Sequence, residues 1–378
     1  MINYDFVSNN SKGVIDKLSS FEYLEKKKIG IRIYKDSFLL PLRQGYGGII
    51  DFKGHVIKSS STHHIKGAYP FSKDCGYEMI NNAILIGVFT TYVWGHCITE
   101  YLGRIWFLHT KYCKQLLRDN NARLVFLAID DAIPKQFKEL LSLAGLEIES
   151  AYRIKDITHC NSLIVPEESF FSKKELEPRF YHIEYVDTIN FIKNSVRKLS
   201  HNSMNYNYEK IYLSRTAAHF SRSFRDIGER KLELFLNDKG YRSIHPEQLS
   251  VCDQIWTLMH TSKVISTEGS ISHNLIFCAP GTNIILLRKA DWISMHQLAI
   301  NQAANLNVTY IDIHHSILVD KKAPWHGPFF IYITKYLKHF FNEGGWTRPY
   351  WLYGDYYFYL LRCLIANFIH YVKLIIKR

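Results

Sequence analysis

One stretch constrains the fold more than any other, residues 264–287, VISTEGSISHNLIFCAPGTNIILL. The run Lys263-Val264-Ile265-Ser266 has the apolar, β-branched composition of a buried strand. It breaks at Glu268-Gly269-Ser270, turns helical through Ile271, Leu275, Ile276 and Phe277, stops at Pro280-Gly281, and resumes as a second apolar run over 283–287. A strand, a glycine turn and a helix start repeated with a parallel strand is the grammar of an α/β sheet. The free N–H groups of such a turn favour an anion. A phosphate-bearing ligand is therefore the first expectation.

The same alternation continues on both sides. Residues 210–214, 241–245 and 308–313 read as strands, and 228–238, 250–260 and 293–305 as helices, with Gly240 after the first of them. Upstream, 83–90 and 123–129 read as strands, followed by a long helical pattern from His96 to about Leu117 and a helix over 134–144 closed by Gly145. Parallel sheets bind ligands at the carboxyl ends of their strands, so the turns that matter are Ser214-Arg215, His245-Pro246-Glu247 and 267–270. The polar run 200–208 is the best linker in the chain.

Composition narrows the partner. The 378 residues are 47% apolar and 22% charged, so the chain has a core, and its formal charge of +12 favours anionic partners. Basic runs interleaved with aromatics are lacking, which leaves nucleic acid without support. The seven cysteines form no C-x-x-C pair, as expected of thiols in a reducing compartment. The first residues lack the apolar core of a signal peptide, and a cytoplasmic protein is expected. Residues 325–378 are rich in aromatics; charges within 356–376 argue against a spanning helix, leaving a helix packed on the body or one lying on an anionic membrane surface.

The chemistry gathers at few residues. Arg215 suits a phosphate, with Arg222 and Arg225 following it; Glu247 suits a ribose or base edge; Gly269-Ser270, with Ser272 and Asn274 behind, suits a diphosphate; Glu268 sits beside that site. His96, Glu100 and Arg104 share one face of the upstream helix, where His96 or Glu100 can serve as base. His63-His64 and His314-His315 near Asp312 are weak metal signals, and a D-x-D pair is lacking.

These residues carry a resemblance. Residues 95–104, GHCITEYLGR, resemble the G-H-x-x-x-E-x-L-P-R segment of glycosyltransferase family 61, with Gly103 where proline is usual. Tyr212-Leu213-Ser214-Arg215 with Arg225 and Glu233 resembles its Y-x-S-R…R…E block, and His245 to Ser250 with Asp253-Gln254 its P-E-x-L-S…E-Q block. The opening stretch resembles G-[AS]-x-x-x-N-x-x-F…P-G-T, with Glu268 where many members carry histidine.

The resemblance implies a GT-B-like α/β fold, two Rossmann-like domains facing across a cleft, with an aromatic basic C-terminal tail. Residues 1–205 would form the acceptor-side domain, 206–322 the nucleotide-sugar domain and 323–378 the helical tail. It implies an inverting transferase of bacterial capsule or surface polysaccharide synthesis, cytoplasmic or peripheral on the inner membrane face. The donor would be a nucleotide-sugar, UDP-linked in the first instance, and the acceptor a glycan or lipid-linked glycan. Catalysis would fall to His96, Glu100 or Glu268, donor binding to Arg215, Arg225, Glu247, Gly269, Ser270, Ser272 and Asn274, and acceptor-side support to Arg104. No metal or cofactor is expected. A nucleotide-sugar epimerase and a membrane-attached scaffold are the rival readings.

Overall fold

The computed structural model describes residues 2–57, 65–70, 76–119, 121–172, 179–199, 208–217, 226–315 and 327–376. Contacts divide the chain into two units, Tyr23–Ser203 on one hand and Met1–Glu22 with Met204–Arg378 on the other. By this division residues 1–22, 206–322 and 323–378 share a unit. The chain opens with strand β1 (Ile2–Phe6) and helix α1 (Asn9–Ser19), capped by the Ser8 side chain.

The Tyr23–Ser203 unit is built on a mixed six-stranded sheet. Its strands are β2 (Ile31–Arg43), β3 (Tyr46–Ile50), β4 (Glu78–Phe89), β5 (Arg123–Ala128), β6 (Tyr152–Arg153) and β7 (Thr158–Pro166). Their order is β3-β2-β7-β4-β5-β6. The β2–β3 and β2–β7 pairs are antiparallel, and β7–β4, β4–β5 and β5–β6 are parallel. A short ribbon, β8 (Phe170–Ser172) with β9 (Arg179–Tyr181), stands beside it. Leu39, Leu85, Val125 and Leu163 are fully buried and form the centre of the core.

Between β4 and β5 the single long helix suggested by the sequence is four short pieces. These are α2 (Trp94–Ile98), 3-10 turns at Glu100–Leu102 and Ile105–His109, and α3 (Lys111–Arg118). Thr99 breaks the first turn with φ −93° and ψ −91°. Gly103 is needed next, because a Cβ there would lie 2.9 Å from the Glu100 carbonyl. Helices α4 (Lys135–Leu143) and α5 (Ile183–Leu199) complete the unit, and Gly145 follows α4 with φ +86°.

The second unit holds a six-stranded sheet that is parallel throughout. It contains β10 (Lys210–Leu213), β12 (Arg242–Ile244), β13 (Lys263–Thr267), β14 (Asn283–Arg288) and β15 (Asn307–Asp312), joined by β1 in the order β1-β15-β14-β13-β10-β12. A two-residue strand β11 (Asp226–Ile227) pairs with β16 (Phe329–Phe330). The helices are α6 (Glu229–Asp238), α7 (Val251–His260), α8 (Met295–Ala303), α9 (Lys335–Phe340) and α10 (Gly354–Ile376). Ile284 to Arg288 are buried one after another, as in a strand covered on both faces. Among the described residues, no helix is long and apolar enough to cross a membrane.

Candidate active site

Strand order decides which turns meet. From one edge of the second sheet to the other, the carboxyl ends present Ser8, Asp312, Arg288-Lys289, Glu268-Gly269, Ser214-Arg215 and His245-Pro246-Glu247. The strand of Arg215 lies directly beside that of Gly269, and the strand of Glu247 beside that of Arg215.

Arg215 is held from two sides. Its guanidinium donates to Asp226 Oδ2 at 3.2 Å, and its backbone N–H donates to Glu229 Oε1 at 2.9 Å. Asp226 also receives the Lys289 ammonium, at 2.8 and 3.1 Å. Lys289 is 4% exposed and its Nζ lies over the Phe329 ring at 4.6 Å. A methyl group built on Gly269 would sit 3.6 Å from that Nζ. Burial pushes the Lys289 amine below its ordinary range; Asp226 opposes the shift and Arg215 adds to it. Burial and the neighbouring Asp226 push Glu229 up to about 7. Arg215 and Lys289 thus bring two cations to this turn, against the carboxyls of Asp226, Glu229 and, at the Ser214 hydroxyl, Glu233.

The Gly269 turn differs in detail from the sequence expectation. Gly269 has φ +134°, which only glycine tolerates freely, and the helical stretch behind it is a 3-10 turn, Ser272–Phe277. The Ser272 hydroxyl caps the turn from inside: it accepts the Gly269 N–H at 3.2 Å and meets Gln297 Oε1 at 2.6 Å. What this corner offers an anion is therefore its side-chain cations more than a helix dipole. Ser270 is partly exposed, whereas Ser272 and Asn274 are buried. Asn274 lines a small cavity with Leu213, Ile244, Pro246 and Gln254, and Glu247 stands exposed on the adjoining turn. Arg222 and Arg225 lie outside the described residues.

Glu268 faces inward. It is 2% exposed, its Oε2 lies 4.0 Å from Arg288 Nε, and neither its Oε1 nor that Nε has a hydrogen-bond partner. Arg288 is anchored instead on Asp312 Oδ1 at 2.7 Å. Burial pushes the Glu268 carboxyl up to about 7, against the pull of Arg288 and His314. His314 hydrogen-bonds through both ring nitrogens, to the Arg288 carbonyl and to Asp291, each at 3.0 Å. His315 stacks on Tyr350 with ring centroids 3.5 Å apart. His63 and His64 fall outside the described residues.

In the Tyr23–Ser203 unit, His96 and Glu100 form a pair. His96 Nδ1 lies 3.1 Å from Glu100 Oε2; the imidazole side chain is 23% exposed and the carboxylate 5%. Thr99 Oγ1 donates to the same Oε2, and Arg179 Nε approaches Oε1 at 3.8 Å. Arg104 does not join them. It is 3% exposed, donates to Glu168 Oε1 at 2.9 Å and to the Pro166 carbonyl, and ties α2's loop to the end of β7. The broken helix explains this, since beyond the His96–Glu100 pair the chain passes into separate 3-10 turns and Arg104 no longer follows Glu100 on one α-helical face.

The family model described as Glycosyltransferase 61 matches residues 94–285, just over half of the chain. The chain belongs to the Glycosyltransferase 61 family. It is a glycosyltransferase by that membership, with a nucleotide-sugar donor and a glycan acceptor in general terms. No curated protein matches it. The match spans His96, Glu100, Arg215, Asp226, Glu247 and the Gly269 turn, and stops short of Lys289. Of the residues that shape this glycosyltransferase's two polar clusters, sequence reasoning missed Arg179, Glu168, Asp226, Glu229 and Lys289. The one local signal was Arg288-Lys289 closing an apolar strand, where a pair of cations is costly unless partnered.

Proposed function

We propose that the protein is an inverting glycosyltransferase of GT-B-like organisation, acting in the cytoplasm in bacterial capsule or surface polysaccharide synthesis. The observation that carries the reading is the cluster Arg215–Asp226–Lys289 beside Gly269 at the carboxyl edge of a parallel sheet. The donor diphosphate binds there, Glu247 reads the nucleotide, and UDP is the favoured nucleotide. Arg215 and Lys289 take the leaving group's charge without a divalent metal, so turnover should persist in EDTA.

The acceptor hydroxyl is activated by His96. The Nδ1–H of the imidazole donates to Glu100, and Nε2 takes the acceptor proton. As that proton moves to His96, the acceptor oxygen bonds to the anomeric carbon, and the bond to the diphosphate breaks with its electron pair on the leaving oxygen. Glu100 orients the ring and stabilises the imidazolium, itself held by Thr99 and Arg179.

A thermal-shift screen of UDP, GDP, CMP and their sugars tests the donor; stabilisation by CMP alone, or by none of them, overturns it. Replacing His96 by Ala should lower transfer about 10²–10⁴-fold while donor binding persists. Full turnover in both His96→Ala and Glu100→Gln would move the base elsewhere, with Glu268 next in line.

A further inference from the structure

Helix α10 has two apolar sides. Tyr356, Tyr359 and Cys363 are buried and pack with Ile227, Phe330 and Tyr353, which fixes the helix to its unit. A separate stripe, Tyr357, Leu361, Leu364, Ile365 and Phe368, is 60, 54, 59, 48 and 69% exposed. These positions follow the i, i+4, i+7, i+8, i+11 spacing of a single helix face. Just before the helix, Trp346 and Trp351 are 69 and 50% exposed. A contiguous apolar surface on a helix already anchored elsewhere marks an interaction site rather than unfinished packing.

We propose that this stripe docks the protein on an anionic lipid surface, with α10 lying in the membrane plane and Trp346 and Trp351 at headgroup level. Charge selects lipid over a second copy of the chain. Residues 344–378 carry Arg348, Arg362, Lys373, Lys377 and Arg378 against one acid, Asp355, so five minus one leaves +4. Asp355 is itself ion-paired with Lys231 at 2.6 Å. Two such tails brought together would repel, whereas anionic headgroups attract each of them. Aromatic side chains with an apolar body, beside basic ones, are the composition of an interfacial helix. The 23 residues make a rod of about 35 Å, and Arg362 near its middle suits a helix in the plane rather than across it. The inference does not depend on the donor or acceptor chemistry: vesicles report on the helix and nucleotides on the sheet.

Flotation of the full chain with vesicles of phosphatidylcholine alone, and of equal parts phosphatidylcholine and phosphatidylglycerol, tests it. The protein should float with the anionic vesicles, several-fold less with the neutral ones, and less at high salt. The combined change Leu361→Ser, Leu364→Ser and Phe368→Ser should cut partitioning at least about tenfold while the nucleotide thermal shift is kept. Trp346→Ala with Trp351→Ala, at exposed positions outside the helix, should weaken it independently of any effect of the triple change on folding. Equal flotation of these variants and the parent overturns the proposal. So does equal binding to both vesicle types. A parent chain that ignores vesicles but sediments as a dimer, dissociated by the triple change, assigns the stripe to a second copy instead.

Discussion

Glu268 and Arg288 show how much a buried charge depends on its neighbours. Both are almost fully enclosed, yet 4.0 Å separates the nearest atoms and each keeps one polar atom without a hydrogen bond. The carboxyl therefore gains little from ionising and titrates near 7 rather than at its ordinary 4.5. A raised carboxyl pKa means that, between these values, the folded chain keeps a proton which the unfolded chain has released. Stability should thus fall as pH rises from about 4.5 to about 7, by roughly 3 kcal/mol from Glu268, and level off above. Glu229, shifted the same way by burial and Asp226, adds to the slope. Glu268→Gln removes one titration, so urea unfolding should show a shallower pH dependence and a variant more stable than the parent near pH 8. An unchanged slope would show that Glu268 stays ionised through the range. Burial works against the charged form of Lys289 too, but its ammonium touches both oxygens of Asp226. Lys289→Met should destabilise by about 3 kcal/mol, because the buried Asp226 carboxylate keeps Arg215 but loses its second cation, read as a lower urea midpoint.

At the scale of elements, much of the second sheet was legible because parallel strands covered on both faces announce themselves as apolar runs. Strands β10, β12, β13, β14 and β15 and helices α6, α7 and α8 fall where periodicity and capping residues put them. Strand β2 was not legible. It carries Asp36 with φ +49°, and Pro41 sits where its pairing with β3 slips register, so neither charge pattern nor proline content reads as an interior strand. The His96 segment was legible as a pair and illegible as an element, since one residue, Thr99, leaves helical geometry. Two glycines flanking α6 make a test of what such corners require. A Cβ at Gly228, φ +101°, would collide with the Ile331 carbonyl oxygen; at Gly240, φ +80°, it would meet nothing within 4 Å. Gly240→Ala should therefore cost only the backbone term, about 1 kcal/mol. Gly228→Ala should cost at least about 3 kcal/mol, backbone strain plus a displaced β11–β16 ribbon. Because β11 carries Asp226, only Gly228→Ala should also weaken nucleotide binding. Equal urea midpoints for the two variants would contradict this.

For the molecule as a whole, the feature least visible in the sequence is the return of the first residues to the far end of the chain. Strand β1 is five residues long, and its partner β15 lies some three hundred residues away; local periodicity carries no trace of such a pairing. The structure ties it down by several means. Ser8 N–H and Ser11 Oγ donate to Asp312 Oδ2 at 2.8 and 3.0 Å, so the segment completes the Arg288–Asp312 network from its open side. The Phe6 ring meets Phe340 edge-on at 5.1 Å, and the Phe21 carbonyl accepts from Gln302 at 2.7 Å. A chain beginning at residue 23 would expose β15 as a bare edge, leave Asp312 short of two donors and uncover the Phe340 contact. Bare edges of buried parallel strands invite association. Such a chain should give little soluble protein, and the soluble fraction should melt lower by about 10 °C or more. A peptide of residues 1–22 should bind it and raise the melting temperature in a saturable way, while the same peptide with Phe6→Ala and Ser11→Ala should do so less. A truncated chain that melts with the full one would mean that β1 decorates the sheet instead of completing it. Rescue by the parent peptide alone would show that the second unit is assembled from both ends of the chain.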